Sequence, residues 1–276
     1  MIKLNPSQYK RVIDSLKEVT INHLFVRSVI EGKVDGTVYA DHAEHPEVFY
    51  VYHPYGLSLL FGKSEHEAFY SWLKNHVLNF SGNRFKPEWL QVFPESLNQS
   101  FRDLCIGRIR NVSGVSGESR FDLIEEHTRV NFSFNQEKYL RFRRTLSPVH
   151  YPVLRTDREM YEQMQGTVLP RFFWKDADQF VSQGIGFSLM VEEKPASTAF
   201  SAFIHDHQLE LGIESAERFR GKGFAIYTCV ALIDYCLENQ FEPVWSCRLG
   251  NTASYRLAQK LGFEPTFEIP FYRLCC

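Results

Sequence analysis

Leu209-Glu210-Leu211-Gly212-Ile213-Glu214, then Arg220-Gly221-Lys222-Gly223-Phe224-Ala225, then Val244-Trp245-Ser246-Cys247 are the runs that decide the fold. The first alternates in a strand-like way, with Glu210, Gly212 and Glu214 on one face and Leu209, Leu211 and Ile213 on the other. The second is a glycine-rich turn. A helix from about Gly223 to Leu237 follows: Ile226, Val230, Ile233 and Leu237 form one apolar stripe, and Ala225, Cys229, Leu232 and Cys236 a second. Such a helix packs on a sheet and on something else. The third run reads as a strand, and Asn251 then opens a helix that ends at Leu261-Gly262-Phe263.

A strand that runs through glycine into a helix presents unpaired N–H groups at the positive end of the helix dipole, which favours an anion. Gly221 and Gly223 permit backbone conformations and close approaches that a Cβ forbids. Arg220 and Lys222 add positive charge. The spacing is neither G-x-x-x-x-G-K-[ST] nor G-x-G-x-x-G. Taken alone, the turn fits a structural helix start as well as an anion site.

Outward from this unit, Val153–Arg155 reads as a short strand, Glu159, Met160 and Met164 belong to a helical stretch, and Asp176–Val181 reads as a second. Phe187–Val191 and Ser197–Ile204 read as a hairpin around the polar Glu192–Ala196 turn. Antiparallel strands that lead into a strand–helix–strand unit imply an α+β, mixed-sheet layout. The N-terminal part reads as an α/β half. Strands are expected at Thr37–Ala40, Val48–Tyr52, Leu57–Phe61, Glu88–Phe93 and Arg129–Phe134, and a helix at Glu65–Val77. Val12, Leu16 and Val19 have helical spacing, whereas residues 24–30 are rich in β-branched side chains. Between 142 and 152 the periodicity stops at Ser147-Pro148 and Tyr151-Pro152, which marks a linker between residues 1–141 and 153–276. The cluster Arg141, Arg143 and Arg144 fits a solvated hinge or an anion site.

The 276 residues carry a net charge of -2, which gives no reason to expect nucleic acid or an anionic membrane as partner. The N-terminus reads without the apolar segment of a signal peptide, and no run approaches the roughly 18 apolar residues of a membrane span. The six cysteines include no C-x-x-C pair, so free thiols in the cytoplasm are expected. Asp41-His42, His45 and His205-Asp206-His207 read as polar loops without metal-ligand spacing.

The run Arg220–Ala225 resembles the Q/R-x-x-G-x-G/A signature of the GNAT N-acetyltransferase superfamily. Asn251-Thr252-Ala253-Ser254-Tyr255-Arg256-Leu257-Ala258-Gln259-Lys260-Leu261-Gly262-Phe263 resembles its second cofactor motif, N-x-x-S-x-x-L-x-x-K-x-G-F. Together with Trp245-Ser246-Cys247, they resemble the branch that includes zwittermicin A resistance proteins. The resemblance implies a mixed, mostly antiparallel sheet flanked by helices over 153–276, with 1–141 as a degenerate copy. It implies acetyl-CoA as co-substrate, no metal, and a small-molecule amine as acceptor. By the same resemblance, Arg220, Gly221, Lys222, Gly223, Phe224 and Ala225 grip the pyrophosphate. A backbone N–H near Ile213 or Glu214 polarises the thioester, and Asn251 and Ser254 meet the pantetheine arm.

Asn251 is also a good N-cap, and Ser254 an ordinary first-turn residue. Glu210 or Glu214 is the expected base, against a reading as ordinary solvent-facing carboxylates. Many family members place a tyrosine acid where this chain has Ala258, so Tyr255, Tyr227, Tyr272 or water must serve. Cys247 is weighed as an acyl-cysteine nucleophile and disfavoured for lack of a neighbouring base. Two competing readings are a non-catalytic acyl-CoA-binding or sensory protein and a tandem peptidyl-transfer enzyme.

Overall fold

A computed structural model describes residues 1–63, 66–112 and 123–276. The chain divides into two compact units, Met1–Val130 with Arg248–Gly250 and Glu268–Cys276, and Asn131–Cys247 with Asn251–Phe267. This differs from the division expected at 142–152. Residues 142–145 are the last turn of a helix, and two long strands run through both units, an arrangement that a change in composition does not reveal.

In the first unit, β1 (Ile2–Lys3) precedes α1 (Lys10–Leu16) and α2 (Leu24–Ile30). The β-branched stretch 24–30 is thus a helix. The Asn22 side chain accepts the Leu24 N–H at 3.1 Å, and packing of Leu24, Phe25, Val26 and Val29 overrides their weak strand preference. Next come β2 (Thr37–Ala40), β3 (Val48–Tyr52), β4 (Leu57–Gly62), α3 (Glu67–Val77), β5 (Glu88–Phe93), α4 (Glu95–Leu104), β6 (Ile109–Asn111) and β7 (Ile124–Phe134). Glu65, the expected start of α3, lies outside the described residues. Helices α3 and α4 bury Phe69, Leu73, Leu97 and Phe101 with Tyr50, Leu60, Leu90 and Tyr272. Strands β4 and β5 are parallel and stay paired throughout, from Leu57↔Trp89 to Phe61↔Phe93.

The second unit contains α5 (Gln136–Thr145), β8 (Val153–Arg155), α6 (Arg158–Gln163), α7 (Ala177–Gln183), β9 (Gly186–Val191), β10 (Lys194–His205), β11 (Gln208–Ser215), α8 (Phe224–Glu238), β12 (Glu242–Val244), β13 (Ser246–Arg248), α9 (Thr252–Lys260) and β14 (Phe263–Leu274). Of these, β13 and β14 end in the first unit. The smaller sheet has the order β12-β11-β10-β9-β8, antiparallel except for β11 and β12. The larger runs β1-β2-β3-β4-β5-β14-β7-β13, with β6 also on β7. Helix α8 packs its buried Cys229, Val230, Leu232, Ile233 and Cys236 across the smaller sheet. No helix among the described residues is long and apolar enough to cross a membrane.

Helix α5 is tied to α8 by polar contacts. The buried Tyr139 hydroxyl donates to Asp234 at 2.5 Å, and Arg143 Nε meets the other carboxylate oxygen at 3.0 Å. Burial and the neighbouring Asp234 carboxylate both push the phenol pKa up, so it remains a donor. Tyr139→Phe is expected to lower stability by about 1–2 kcal/mol, read as a lowered urea midpoint with unchanged slope.

Candidate active site

The expected strand Val244–Cys247 is two strands in two sheets. β12 pairs with β11 only over Gln208↔Glu242, Leu209↔Pro243 and Glu210↔Val244. After Trp245 the chain leaves the smaller sheet, and β13 lies beside β7 in the larger one. Beyond Glu210, the outer edge of β11 therefore loses its neighbour.

Hydrogen-bond alternation fixes which groups face that opening. The Ala216 N–H donates to Ala196 O at 3.0 Å, so in this register Glu214↔Thr198 and Gly212↔Phe200 are the pairs bonded to β10. On the opposite edge, the Glu242 N–H donates to His207 O, which places the backbone groups of odd-numbered residues towards β12. Of the two expected thioester-polarising groups, the N–H of Ile213 points into the opening and that of Glu214 into the sheet.

The turn follows. Gly221 and Gly223 have φ of +77° and +78°, and a Cβ on either would meet nothing within 4 Å. The positive φ, rather than crowding, calls for glycine here. Gly223 caps α8, leaving the N–H groups of Phe224 and Ala225 in its first turn without an intrahelical partner. The Lys222 ammonium lies 5.2 Å from the centre of the Phe219 ring, and Arg218 stacks there at 4.5 Å. The Arg220 side chain turns inward: Nε donates to Ser215 O and Nη2 to Glu214 Oε1, both at 3.1 Å.

Neither carboxylate of β11 faces solvent; Glu210 and Glu214 are both buried. Glu214 Oε2 accepts the N–H groups of Thr167 at 2.7 Å and Val168 at 2.9 Å, and the Thr167 hydroxyl at 3.2 Å. Its Oε1 takes Arg220 and the Ser215 N–H. Both oxygens of the Glu214 carboxylate are thus engaged by the surrounding scaffold. Glu210 sits at the last β11–β12 pair, and its Oε1 accepts the Ser246 hydroxyl at 2.6 Å.

Asn251 is the N-cap of α9, with its side chain accepting the Ser254 N–H at 3.2 Å. The Ser254 hydroxyl accepts the buried Trp245 indole N–H at 3.2 Å, and the indole packs on Phe263 at 5.4 Å. These contacts seat α9 against the point where the strands part. Ala258 is fully buried, and Tyr255 lies edge-on to Phe132 at 5.4 Å. Tyr227 packs beside Leu189, Val191 and Phe219. Tyr272 belongs to the core of the first unit, where its hydroxyl donates to Asn98 at 2.8 Å and burial pushes its pKa up to about 12.

Loop residues Thr167 and Val168 were not foreseeable, because no spacing rule links them to a carboxylate more than 40 residues away. Ser246 lay within a recognised run, but its tie to Glu210 depends on the register. Among the described residues, no group of three or more His, Cys, Asp or Glu is placed to hold a metal. The Asp41 carboxylate instead accepts the N–H groups of His42, Glu47 and Val48. A cavity of about 890 Å³ in the first unit is lined by Tyr39, Tyr52, Trp72 and Glu88, among others. Burial opposes charge on Glu88, but His76, Tyr50 and Arg84 outweigh it and hold the carboxyl below its usual range. Those groups compensate one another inside the fold.

Parted parallel strands, a left-handed glycine turn and a capped second helix occur here in one unit. The GNAT acetyltransferase family model matches residues 15–272. The chain belongs to the GNAT acetyltransferase family. It is 24% identical over 251 residues to the uncharacterized N-acetyltransferase YdfB of Bacillus subtilis (strain 168), over 90% of this chain and 89% of the relative. A GCN5-related N-acetyltransferase-like protein from Streptococcus suis 89/1591 has a similar structure, with a TM-score of 0.69, 18% identity, and 96% and 98% of the two chains covered. A tandem GNAT protein from the clavulanic acid biosynthesis pathway gives 0.61 at 9% identity, covering 99% and 97%. A GNAT-family acetyltransferase from Colwellia psychrerythraea gives 0.57 at 10%, covering both chains in full. These likenesses establish the GNAT fold: mixed α+β, with sheets flanked by helices.

In this GNAT chain none of the six cysteines is in a disulfide, and Cys105, Cys229, Cys236 and Cys247 are buried. Burial pushes the Cys236 thiol up to about 12. Titration of the native protein with an aromatic disulfide is expected to label the exposed Cys276 first and to leave the four buried thiols unmodified until denaturant is added. Rapid labelling of Cys247 would reopen the covalent route.

Proposed function

We propose that the protein transfers the acetyl group of acetyl-CoA to the primary amine of a small molecule, by direct attack in a ternary complex. The observation that carries this reading is the opening between β11 and β12, with the Ile213 N–H facing it and the Gly221–Gly223 turn in the same unit. N–H groups of the turn and of the first turn of α8 would hold the pyrophosphate, and the exposed Lys222 would add charge. The Asn251 Oδ1 is spent on its cap, so its Nδ2 is the group for the pantetheine; the Ser254 hydroxyl can still donate. The Ile213 N–H would polarise the thioester carbonyl, an oxyanion-type contact worth about 3–4 kcal/mol.

Glu210 is the base in this reading. It is buried beside the opening, with the Ser246 hydroxyl hydrogen-bonded to it as a relay for the ammonium proton. Glu214 holds the scaffold. Tyr255 rests against Phe132, and the Ala258 position has no room for an acid. Thiols have ordinary pKa values near 8.5, so coenzyme A can depart as the thiolate and take its proton from water. The likeness of Trp245-Ser246-Cys247 to zwittermicin A resistance proteins supports a polar, antibiotic-like acceptor. Free thiols support a cytoplasmic location. The strand–helix–parallel-strand order of β4-α3-β5 repeats that of β11-α8-β12, which supports the N-terminal half as a degenerate copy of the same fold.

Thiol release from acetyl-CoA with a panel of small amines tests the reaction. Gly223→Asp puts a carboxylate where the phosphates would lie and is expected to weaken coenzyme A binding by more than ~100-fold, from like-charge repulsion in a cradle of N–H groups. Intact binding in that variant would remove the cofactor assignment. Glu210→Gln is expected to lower kcat ~10²-fold or more with little change in affinity for acetyl-CoA. An unchanged kcat would transfer the base role elsewhere, and binding without turnover for every amine would favour a non-catalytic acyl-CoA-binding protein.

A further inference from the structure

We infer that Glu214 is a positioning residue that couples the cofactor turn to the loop Gly166–Val168, so that a bound coenzyme A orders that loop. The inference rests on the proposed site at Arg220–Ala225. The two oxygens of Glu214 serve different segments. Oε2 receives two consecutive backbone N–H groups, Thr167 at 2.7 Å and Val168 at 2.9 Å, together with the Thr167 hydroxyl. Oε1 receives Arg220 Nη2 at 3.1 Å. All of these residues lie in one compact unit.

The approach is close enough to require glycine. A Cβ on Gly166 would come within 2.5 Å of the Glu214 side chain, and the residue has φ +142°. The loop is thus fitted to this carboxylate. The carboxylate is buried, whereas the Arg220 side chain is 55% exposed. Charge-assisted bonds to N–H groups in a buried site are strong, while a half-exposed ion pair is screened and held loosely. Without an anion nearby, Arg220 is therefore the loose end of the device.

The guanidinium is a rigid fork with five donors. Two of its N–H groups bind Ser215 O and Glu214, so others remain for an anion at the turn. A pyrophosphate held there would give Arg220 a second acceptor, fix its plane and tighten its bond to Glu214. The loop follows, since its N–H groups share that carboxylate. Ile213 precedes Glu214 directly, and its N–H faces the opening. The device therefore sets the backbone of the thioester-polarising residue and the loop together.

Hydrogen–deuterium exchange of the full chain, with and without acetyl-CoA saturating for each form, tests the coupling. In the wild type, acetyl-CoA is expected to slow exchange at residues 165–169 by roughly 2- to 5-fold, the effect of one firmed ion pair. Arg220→Gln, once loaded, is expected to lose that slowing while keeping the exchange of its unliganded loop close to wild type. Glu214→Gln is expected to exchange faster at 165–169 in both states. Equal slowing in wild type and Arg220→Gln would overturn the coupling, as would no slowing in the wild type or an unchanged loop in Glu214→Gln. Calorimetry on the same samples separates the two levels. If no form binds acetyl-CoA, the proposed cofactor falls and the coupling with it; if all forms bind but the loop is indifferent, only the coupling falls.

Discussion

The architecture of the candidate site depends on one interrupted ladder. Strands β11 and β12 are parallel neighbours for three residue pairs, and at Trp245 the chain changes sheets. Backbone N–H and C=O groups are obligatory hydrogen-bonding groups, and a strand edge abandoned inside a fold carries a cost unless something else satisfies it. Here the Trp245 indole makes the change of sheet permanent: it is buried on Phe263 and donates to Ser254 of the following helix. Where the ladder stops, the Ser246–Glu210 side-chain bond takes over. Beyond it, the Ile213 backbone is left facing the opening. A ligand with alternating amides, such as pantetheine, is complementary to such an edge.

The first unit supplies a control within the same chain. Its β4 and β5 are also parallel and also joined by a helix, yet they stay paired from Leu57↔Trp89 to Phe61↔Phe93. No backbone edge is released between them. Helix α3 is preceded by His66 in an extended conformation, not by a left-handed glycine. The parting of parallel strands and a left-handed glycine turn before the helix coincide, among the described residues, only in the second unit.

Much of this was legible in the sequence for definite reasons. The turn could be read because left-handed conformations select glycine, and both Gly221 and Gly223 adopt them. Asn251 could be read because N-caps have a short residue list. Strand β11 and helix α8 could be read from periodicity. The sheet change at Trp245 was hidden, since Val244–Cys247 has the composition of one strand and only its neighbours divide it. The division into units was hidden because β7 and β14 run through both, with nothing in their alternation to mark the crossing. Residues 142–145 looked like linker, although Asn135 caps a helix that continues through them.

Alternation was most misleading at Glu210 and Glu214. It correctly placed both on one face of β11, and polar side chains on one face suggest solvent. Both are buried, and their partners, not their exposure, distinguish them. Glu214 accepts from three backbone N–H groups, a hydroxyl and a guanidinium, so taking a proton would cost it several charge-assisted bonds at once. Glu210 has a serine hydroxyl on Oε1, and a hydroxyl can donate to the carboxylate while accepting from a second group. Two identical residues four positions apart separate into a scaffold and a candidate base because one faces a loop and the other faces the last bond before the strands part.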